Sequence, residues 1–517
     1  MREIDLPQGW VTTTVGHVLL NVVGGGTPSR NVPAYFNGDI PWFTVKDMKS
    51  LRPRDAQEHI SAAAIAESAT NLIPANTLIV ATRIALGRAM RPLVPCAINQ
   101  DLKALFFGDG INSDYMLLWV GANERKIQDL GSGTTVSGIR LEALHGLPLL
   151  LPPAAEQTRI VGKLEELLSD LDAGVAELKA AQRKLAQYRQ SLLKAGVEGA
   201  LTAGWRTRRT PAESGAQLLE RILTERRARW QARQQAKFAE QGKTPPKDWQ
   251  AKYPEPVAPD TTGLPELPLG WVWASLDQLA LDSSYGTSVK CSYESQGASV
   301  LRIPNVIARK LVLDDLKFAS QPLNLEKSEY LAPGDILIVR TNGSISLVGR
   351  AAEVTDPLPG GFYFASYLLR VRCLETSVVH RWVSALLASS QGRSWIESRA
   401  ASSAGQHNLS LSTLLTIPVP LPPATEQAEA LNALEAALLS VSEQERFLDK
   451  SLQQSTAQRK NILQAAFCGQ LVPQDPADEP ASALLARIRA ERAAQGKAPK
   501  ARKPRAAHDA PDFKAPA

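Results

Sequence analysis

The sequence predicts an α+β protein with a pseudo-twofold internal repeat: two homologous domains of short strands and helices, separated by two long helices that pair as an antiparallel coiled coil. Three observations predict this. The chain is written twice, each copy carries more than four consecutive heptads, and a segment of mixed short apolar runs precedes each heptad stretch. With 517 residues, 44% of them hydrophobic, the chain exceeds what one core organises and can fill several.

The repeat is ordered. LPQGWV at 6–11 returns as LPLGWV at 267–272, and LPPAAEQ at 151–157 returns as LPPATEQ at 421–427. RQSLLKAGVEGAL at 189–201 then matches RKNILQAAFCGQL at 459–471, and AQLLERILTERR at 216–227 matches SALLARIRAERA at 482–493. A period of roughly 265 residues is too long for a solenoid or propeller and indicates tandem duplication.

The elements follow in order. Residues 1–150 and 264–420 are the two mixed domains: apolar runs such as Leu78–Val80, Ile336–Val339 and Tyr367–Val371 read as short strands between loops rich in Gly, Pro and Asn. Helical stretches are expected at Tyr115–Ile127 and Val378–Arg399. Residues 151–205 and 421–472 are the long helices, each opened by two prolines and an early Glu. In the first, Val161, Leu164, Leu168, Leu171, Val175, Leu178, Gln182, Leu185, Arg189 and Leu192 alternate spacings of three and four. In the second, Leu431, Leu434, Leu438, Val441, Glu445, Leu448, Leu452, Ser455, Arg459 and Ile462 keep that rhythm. Sustained heptads argue for a coiled coil, and a helix of about 40 residues spans roughly 60 Å, enough to act as a ruler. Residues 206–263 read as a basic amphipathic helix followed by a Pro-rich linker, and 473–517 as a C-terminal helix with a disordered basic tail.

The net charge of +6 suggests an acidic partner such as nucleic acid, but its distribution is uneven. Residues 1–150 hold 13 Lys+Arg against 13 Asp+Glu, and 264–420 hold the same numbers. The surplus lies in 206–243, with ten basic and four acidic residues, and in 484–505, with eight and one. Solvated helices and a tail explain such a surplus as readily as DNA binding does.

Catalytic signatures are missing. No P-loop pattern occurs, the Gly24–Gly26 cluster lacks dinucleotide-binding spacing and reads as a turn or close-approach loop, and Leu-Pro-Pro-Ala lacks the polar residue and ring of an amino-methyltransferase motif. His17, His59, His145, His380, His407 and His508 are isolated, and Cys96, Cys291, Cys373 and Cys468 lie far apart, so neither a triad nor a metal site is expected. No apolar run of membrane-spanning length appears, and MREIDLPQGW lacks the order of a signal peptide, so a cytoplasmic protein is expected.

GGTPSRNVPAYFNGDIPWFTVKDM at Gly25–Met48, PGDILIVRTNG at 333–343, GQHNLSLSTLLTIPVPLPPATEQ at 405–427, and both LPP-x-x-EQ helices with their RxxLL or RxxIL endings resemble DNA-specificity subunits of type I restriction-modification systems. The resemblance covers nearly the whole chain in the order domain, helix, domain, helix. The first half departs at Thr134–Ile139, TTVSGI, where the second has GQHNLS. The resemblance implies two target recognition domains, each reading one half of an asymmetric bipartite site in double-stranded DNA, with the helices setting the spacer. It also implies two methyltransferase subunits that supply S-adenosylmethionine and restriction subunits that supply ATP and Mg chemistry, with no cofactor on this chain and no catalysis by it.

Base reading uses Arg, Lys, Asn and Gln on polar loops, whereas phosphate contacts set position. Candidates in the first domain are Thr27, Ser29, Arg30, Lys46, Lys49, Arg83 and Arg88; in the second, Lys290, Arg302, Asn305, Arg309, Lys310, Arg340, Asn342 and Arg350. The coiled-coil seam is expected to rest on Leu164, Leu168, Leu171, Leu178 and Leu185 against Leu434, Leu438, Val441, Leu448 and Leu452. Two other readings fit the residues: a coiled-coil scaffold that does not bind DNA, and a DNA methyltransferase or nuclease with unrecognised motifs.

Overall fold

A computed structural model describes residues 6–132, 138–307, 309–359, 361–373 and 378–495. The protein is α+β and divides into two units, one formed by residues up to 178 together with those from 450 onward, the other by 179–449. The division falls inside the two long helices, Ala154–Val197 and Ala424–Phe467, rather than in the Pro-rich stretch.

In the first unit a four-stranded antiparallel sheet runs Leu19–Gly24, Leu102–Phe107, Leu78–Ala81, Ala89–Met90. The apolar run read from sequence is its centre: Leu78–Ala81 is buried at every position, as a strand covered on both faces must be. Beside it Ile40–Phe43 pairs with Glu58–Ile60 antiparallel and with Ala97–Ile98 parallel. In the second unit a four-stranded sheet runs Ala280–Tyr285, Leu368–Cys373, Asp335–Val339, Ala351–Glu353. A second sheet there contains the parallel pair Ser299–Leu301 and Phe362–Phe364.

The expected helical stretches are each broken once. The first becomes Ser113–Ala122 and Glu124–Asp129, and the second Val379–Ala388 and Ser390–Arg399. At the second break Ser389 turns extended and its hydroxyl accepts from Gly392 N at 3.2 Å, the local competition by which serine ends one helix and caps the next.

Each long helix has 44 residues, about 66 Å at a rise of roughly 1.5 Å per residue. Every heptad position named above is buried or half-buried. In the first unit Asp172 pairs with Arg459; in the second, Gln182 Nε2 donates to Asp449 at 2.7 Å and Arg189 meets Glu445 at 2.7 Å. In the second unit, rising numbers on one helix meet falling numbers on the other, so the helices run antiparallel there. Of the polar residues that interrupt the heptads, Gln182, Arg189, Glu445 and Arg459 find partners on the other helix, whereas Ser455 donates to Ser451 O of its own helix at 2.9 Å.

The repeated GWV and LPP-x-x-EQ motifs meet. Trp10 Nε1 donates to Glu156 at 3.0 Å and Trp271 Nε1 to Glu426 at 2.9 Å, with both glutamates fully buried. Gln157 and Gln427, also buried, donate to the carbonyls of Pro152 and Pro422 at 3.1 and 2.8 Å. Glu426 further receives Thr202 Oγ1 at 2.7 Å and an ion pair from Arg206. Glu156 receives Gln474 Nε2 at 3.1 Å, and burial holds its carboxyl above the ordinary range against the opposing hydrogen bonds of Gln474 and Trp10.

Two expectations are revised. The basic helix, Gly215–Glu240, consumes much of its charge internally: Arg221 pairs with Glu213 at 2.9 Å, Arg229 with Glu225 at 2.7 Å and Arg227 with Glu255, while Arg226 donates to Ala280 O at 2.9 Å and Tyr253 Oη at 2.8 Å. The following linker docks instead of hanging free, because Trp249 and Tyr253 are large apolar surfaces that pack on Trp230 at ring separations of 5.8 and 5.4 Å. The C-terminal helix is Ala481–Gln495, and the basic tail beyond it lies outside the described residues.

Among the described residues no helix is long and apolar enough to cross a membrane, and no group of three or more His, Cys, Asp or Glu is placed to hold a metal. The four cysteines are free thiols; burial pushes those of Cys96 and Cys373 up to about 12.

Candidate nucleic-acid interface

Strand register decides which loops meet. In the first unit Gly24 pairs with Lys103 and Ala81 with Leu102, so the loops after Gly24 and after Ala81 leave the same end of the sheet. Thr27, Ser29, Arg30, Arg83 and Arg88 all lie exposed on them. The glycines serve close approach: a Cβ on Gly25 would sit 2.0 Å from Asn99 O, and one on Gly26 2.7 Å from the Ala69 carbonyl carbon. Thr27 Oγ1 then bonds Gln100, and Arg30 stacks 4.4 Å over Phe36 while pairing with Glu58 at 2.7 Å. Arg83 stands 3.6 Å from Asp101 and Arg88 closes the turn at Gly87, which has φ +84°.

Lys46 and Lys49 follow Phe43, whose carbonyl accepts from Asn99 N at 3.0 Å beside that same loop end. Both are exposed, but Lys49 lies further toward Leu51, whose carbonyl meets Arg91 N at 2.8 Å at the opposite end of the sheet. Lys46 therefore begins near the cluster and Lys49 leaves it.

The second unit repeats the geometry with different side chains. Tyr285 pairs with Leu369 and Val339 with Leu368, so the loops after Tyr285 and Val339 share one end. Arg340 lies 4.8 Å over the Tyr285 ring and donates to Asn408 Oδ1 at 3.2 Å. Asn408 belongs to the GQHNLS hairpin, in which Thr341 pairs with Asn408 and Asn342 with His407. That motif is thus built onto the candidate face. In the first unit Gly138 pairs with Arg83 and with Ser132, while residues 134–137 of the divergent TTVSGI segment lie outside the described residues. Arg350 is exposed on the same turn as Asn342, and its Nε donates to Ser346 O at 3.2 Å.

Beside this face a cleft of about 460 Å³ is lined by Lys290, Arg302, Lys317, Thr287 and Tyr367. Lys317 Nζ lies 4.8 Å and Arg302 5.8 Å from the centroid of Tyr293, a ring 60% exposed. A hydrogen bond from Tyr293, with Arg302 and Lys317 nearby, holds the Asp315 carboxyl below its usual range. Burial pushes the Cys291 thiol up while the same two cations oppose it. Arg302 pairs with Asp315 at 2.8 Å, yet its Nε is buried without a hydrogen-bond partner. The local field is positive although the segment as a whole is neutral. Such cation and aromatic surfaces suit a polyanion with stacked rings.

Three candidates do not join the face. Asn305 is 1% exposed, its amide donating to Val312 O and Asp315 O at 2.8 and 3.0 Å, so it shapes a loop and cannot reach a base. Arg309, at φ +70°, spends its guanidinium on Glu353 at 2.8 Å and Ser384 at 3.3 Å. Lys310 is exposed on the same hairpin. Conversely Tyr285, Tyr293, Lys317, Tyr367, Gln406 and His407 were not singled out from sequence as site residues. Gln406 and His407 lie in the GQHNLS motif; the others carried no local signal.

Residues 7–181 match the family described as "Type I restriction modification DNA specificity domain". The chain is similar to the type I restriction enzyme StySPI specificity subunit of Salmonella potsdam, with 22% identity over 96% of this chain and 98% of that one. It is similar to the EcoKI specificity subunit of Escherichia coli strain K12, with 23% identity over 96% and 98%. A chain solved in a study of complex assembly and conformational transition of the type I R-M system shares the fold, with a TM-score of 0.62 at 16% identity over 90% of this chain and 99% of that one.

Proposed function

We propose that the chain is a specificity subunit of the type I restriction-modification kind it resembles, and that it supplies the DNA address of such a complex: each unit's loop face reads one half of an asymmetric two-part site. The observation that carries this reading is the convergence of Arg, Lys, Asn and aromatic side chains at one end of each four-stranded sheet, where the sheet itself needs none of them. Arg30, Arg83 and Arg88 serve the first half-site. Arg340, Asn342, Arg350 and the cleft of Lys290, Arg302 and Lys317 serve the second, and because the two sets differ the half-sites differ.

In this reading residues 1–150 and 264–420 are duplicated recognition domains, 151–205 and 421–472 form an antiparallel coiled coil that fixes the gap, and 206–263 and 473–517 brace the domains. Seam burial at Leu164, Leu434 and Val441, with half-burial at Leu168, Leu171, Leu178, Leu185, Leu438, Leu448 and Leu452, supports the coiled coil. The chain's contribution is specificity, without a cofactor of its own. Two methyltransferase subunits bring S-adenosylmethionine and restriction subunits bring ATP and Mg, in the cytoplasm.

The test is to co-express the chain with the methyltransferase subunit and map methylated adenines across host DNA. An asymmetric two-part motif with a fixed gap, lost when the chain is deleted, is expected. An assembled complex that methylates nothing in such a motif overturns the reading and favours a scaffold.

A further inference from the structure

Each recognition domain touches its long helix at two places along the axis. The first is the helix start, where Glu156 or Glu426 binds its tryptophan and where Ile160, Val161 and Leu164, or Ala430, Leu431 and Leu434, are buried. The second lies nine residues after that glutamate, about 13 Å along the axis at roughly 1.5 Å per residue. There Glu165 pairs with Arg52 in the first unit, and Glu435 with Arg381 in the second.

The two glutamates occupy equivalent positions of the LPP-x-x-EQ helices, but their arginines come from unrelated places. Arg52 sits in a loop and also holds Asp114 at 2.8 Å, so it bridges the domain's helix Ser113–Ala122 to the long helix. Arg381 stands on the helix Val379–Ala388 itself. A loop in one domain and a helix in the other, which share no sequence, thus arrive at one contact. The buried packing gathers at the helix ends, where Ala466 and Phe467 in the first unit, and Leu193 and Val197 in the second, join the same core from the other long helix; the contact further along the axis is the one placed to set the domain's inclination.

We propose that Glu165–Arg52 and Glu435–Arg381 are angular clamps that hold each recognition domain at a set inclination on its helix, making these four positioning residues that determine how strictly the complex enforces the gap between half-sites. This rests on the reading of the chain as a DNA-specificity subunit. The pairs are partly exposed, with side-chain exposures of 35% and 47% in the first and 30% and 44% in the second. Pairs of that exposure contribute little to stability, up to about a five-fold shift in an equilibrium each. They suit tuning of an angle better than holding a fold together.

The test compares methylation maps from complexes containing the parent chain, E165Q/E435Q, E435Q, and the exchanged pair R381E/E435R. In E165Q/E435Q the half-site bases stay the same, while the preference for the parental gap over gaps one base pair longer or shorter falls several-fold. E435Q shows part of that loss, and R381E/E435R regains the strict gap. Gap preference that stays at the parental level in E165Q/E435Q, or methylation that falls evenly at all sites without new gaps, overturns the clamps while leaving the two-part reading intact. A parent complex with no two-part motif overturns that reading and the clamps with it.

Discussion

Replacing Arg206 tests whether the buried carboxylate at the start of the second long helix depends on its cation. Glu426 has a side chain only 1% exposed and accepts from Trp271, Thr202 and Arg206. The two neutral donors cannot balance its charge. Arg206→Met removes the only cation paired with it among the described residues, and stranding a buried charge in this way costs about 3–5 kcal/mol. Arg206 is 20% exposed, so water reaches the vacated position and the lower end, about 3 kcal/mol, is expected. Urea unfolding followed by tryptophan fluorescence measures it, Trp271 lying in contact with the carboxylate. The diagnostic comparison is R206M/E426Q: with both charges gone it should be less destabilised than R206M alone, by at least about 1 kcal/mol, because the penalty lies in the unpaired charge rather than in the lost contact. A cost for R206M below about 1 kcal/mol, or a double variant as unstable as the single, would refute the electrostatic account.

Lys290→Ala and Lys317→Ala, in the assembled complex, should each make the salt dependence of DNA binding shallower by about 0.9 in slope if each lysine neutralises one phosphate, with the recognised bases unchanged; an unaltered slope removes that lysine from the interface. The raised Glu156 carboxyl favours the protonated form in the folded state, so its contribution to stability is present below the ordinary carboxylate range and is lost as pH rises through the raised value. The stability of the parent relative to Glu156→Gln should therefore decline as pH rises above the ordinary carboxylate range, and a difference that grows with pH contradicts the assignment. Leu171→Gln/Leu178→Gln, at half-buried seam positions, should cost about 1 kcal/mol each and widen gap tolerance in methylation maps while the half-site bases persist; an unchanged gap would show that the seam there does not set it.

The helices were legible because a heptad is a local pattern: the ten positions named in each helix are all buried or half-buried. Their starts were legible because paired prolines restrict the chain before Ala154 and Ala424. Side-chain roles were not legible where they depend on partners distant in sequence. Asn305 looked like a base reader in a polar segment, but Val312 and Asp315 enclose it. The surplus charge of the basic helix left solvation and DNA binding equally open, because Glu213, Glu225 and Glu255, which pair with three of its arginines, could not be assigned to them from sequence. Tyr293 carried no local signal; its meaning comes from Arg302 and Lys317 folding over it.

Net charge per segment therefore misdirects in both directions here, and the reason bears on how the two halves are built. The segment after the first long helix packs on the domain that follows it, and the segment after the second packs on the domain that opens the chain. In the second unit Gly215 N bonds Gly270 O at 2.7 Å and Arg226 Nε bonds Ala280 O at 2.9 Å; in the first, Ala481 N bonds Gly9 O at 2.9 Å and Arg492 bonds the carbonyls of Gly16 and Leu19. The matching pairs support the proposed duplication, and they show what the basic residues after each helix do. Arg226 and Arg492 satisfy carbonyls beside the edge strands Ala280–Tyr285 and Leu19–Gly24, where unpaired backbone acceptors would otherwise lie open to another chain. The surplus positive charge in these helices is thus partly structural, placed where edges need donors. The neutral domains, by contrast, bring several cations together on one loop face, some of them paired with Glu58, Asp101 and Asp315, and local potential rather than net charge is what a polyanion meets.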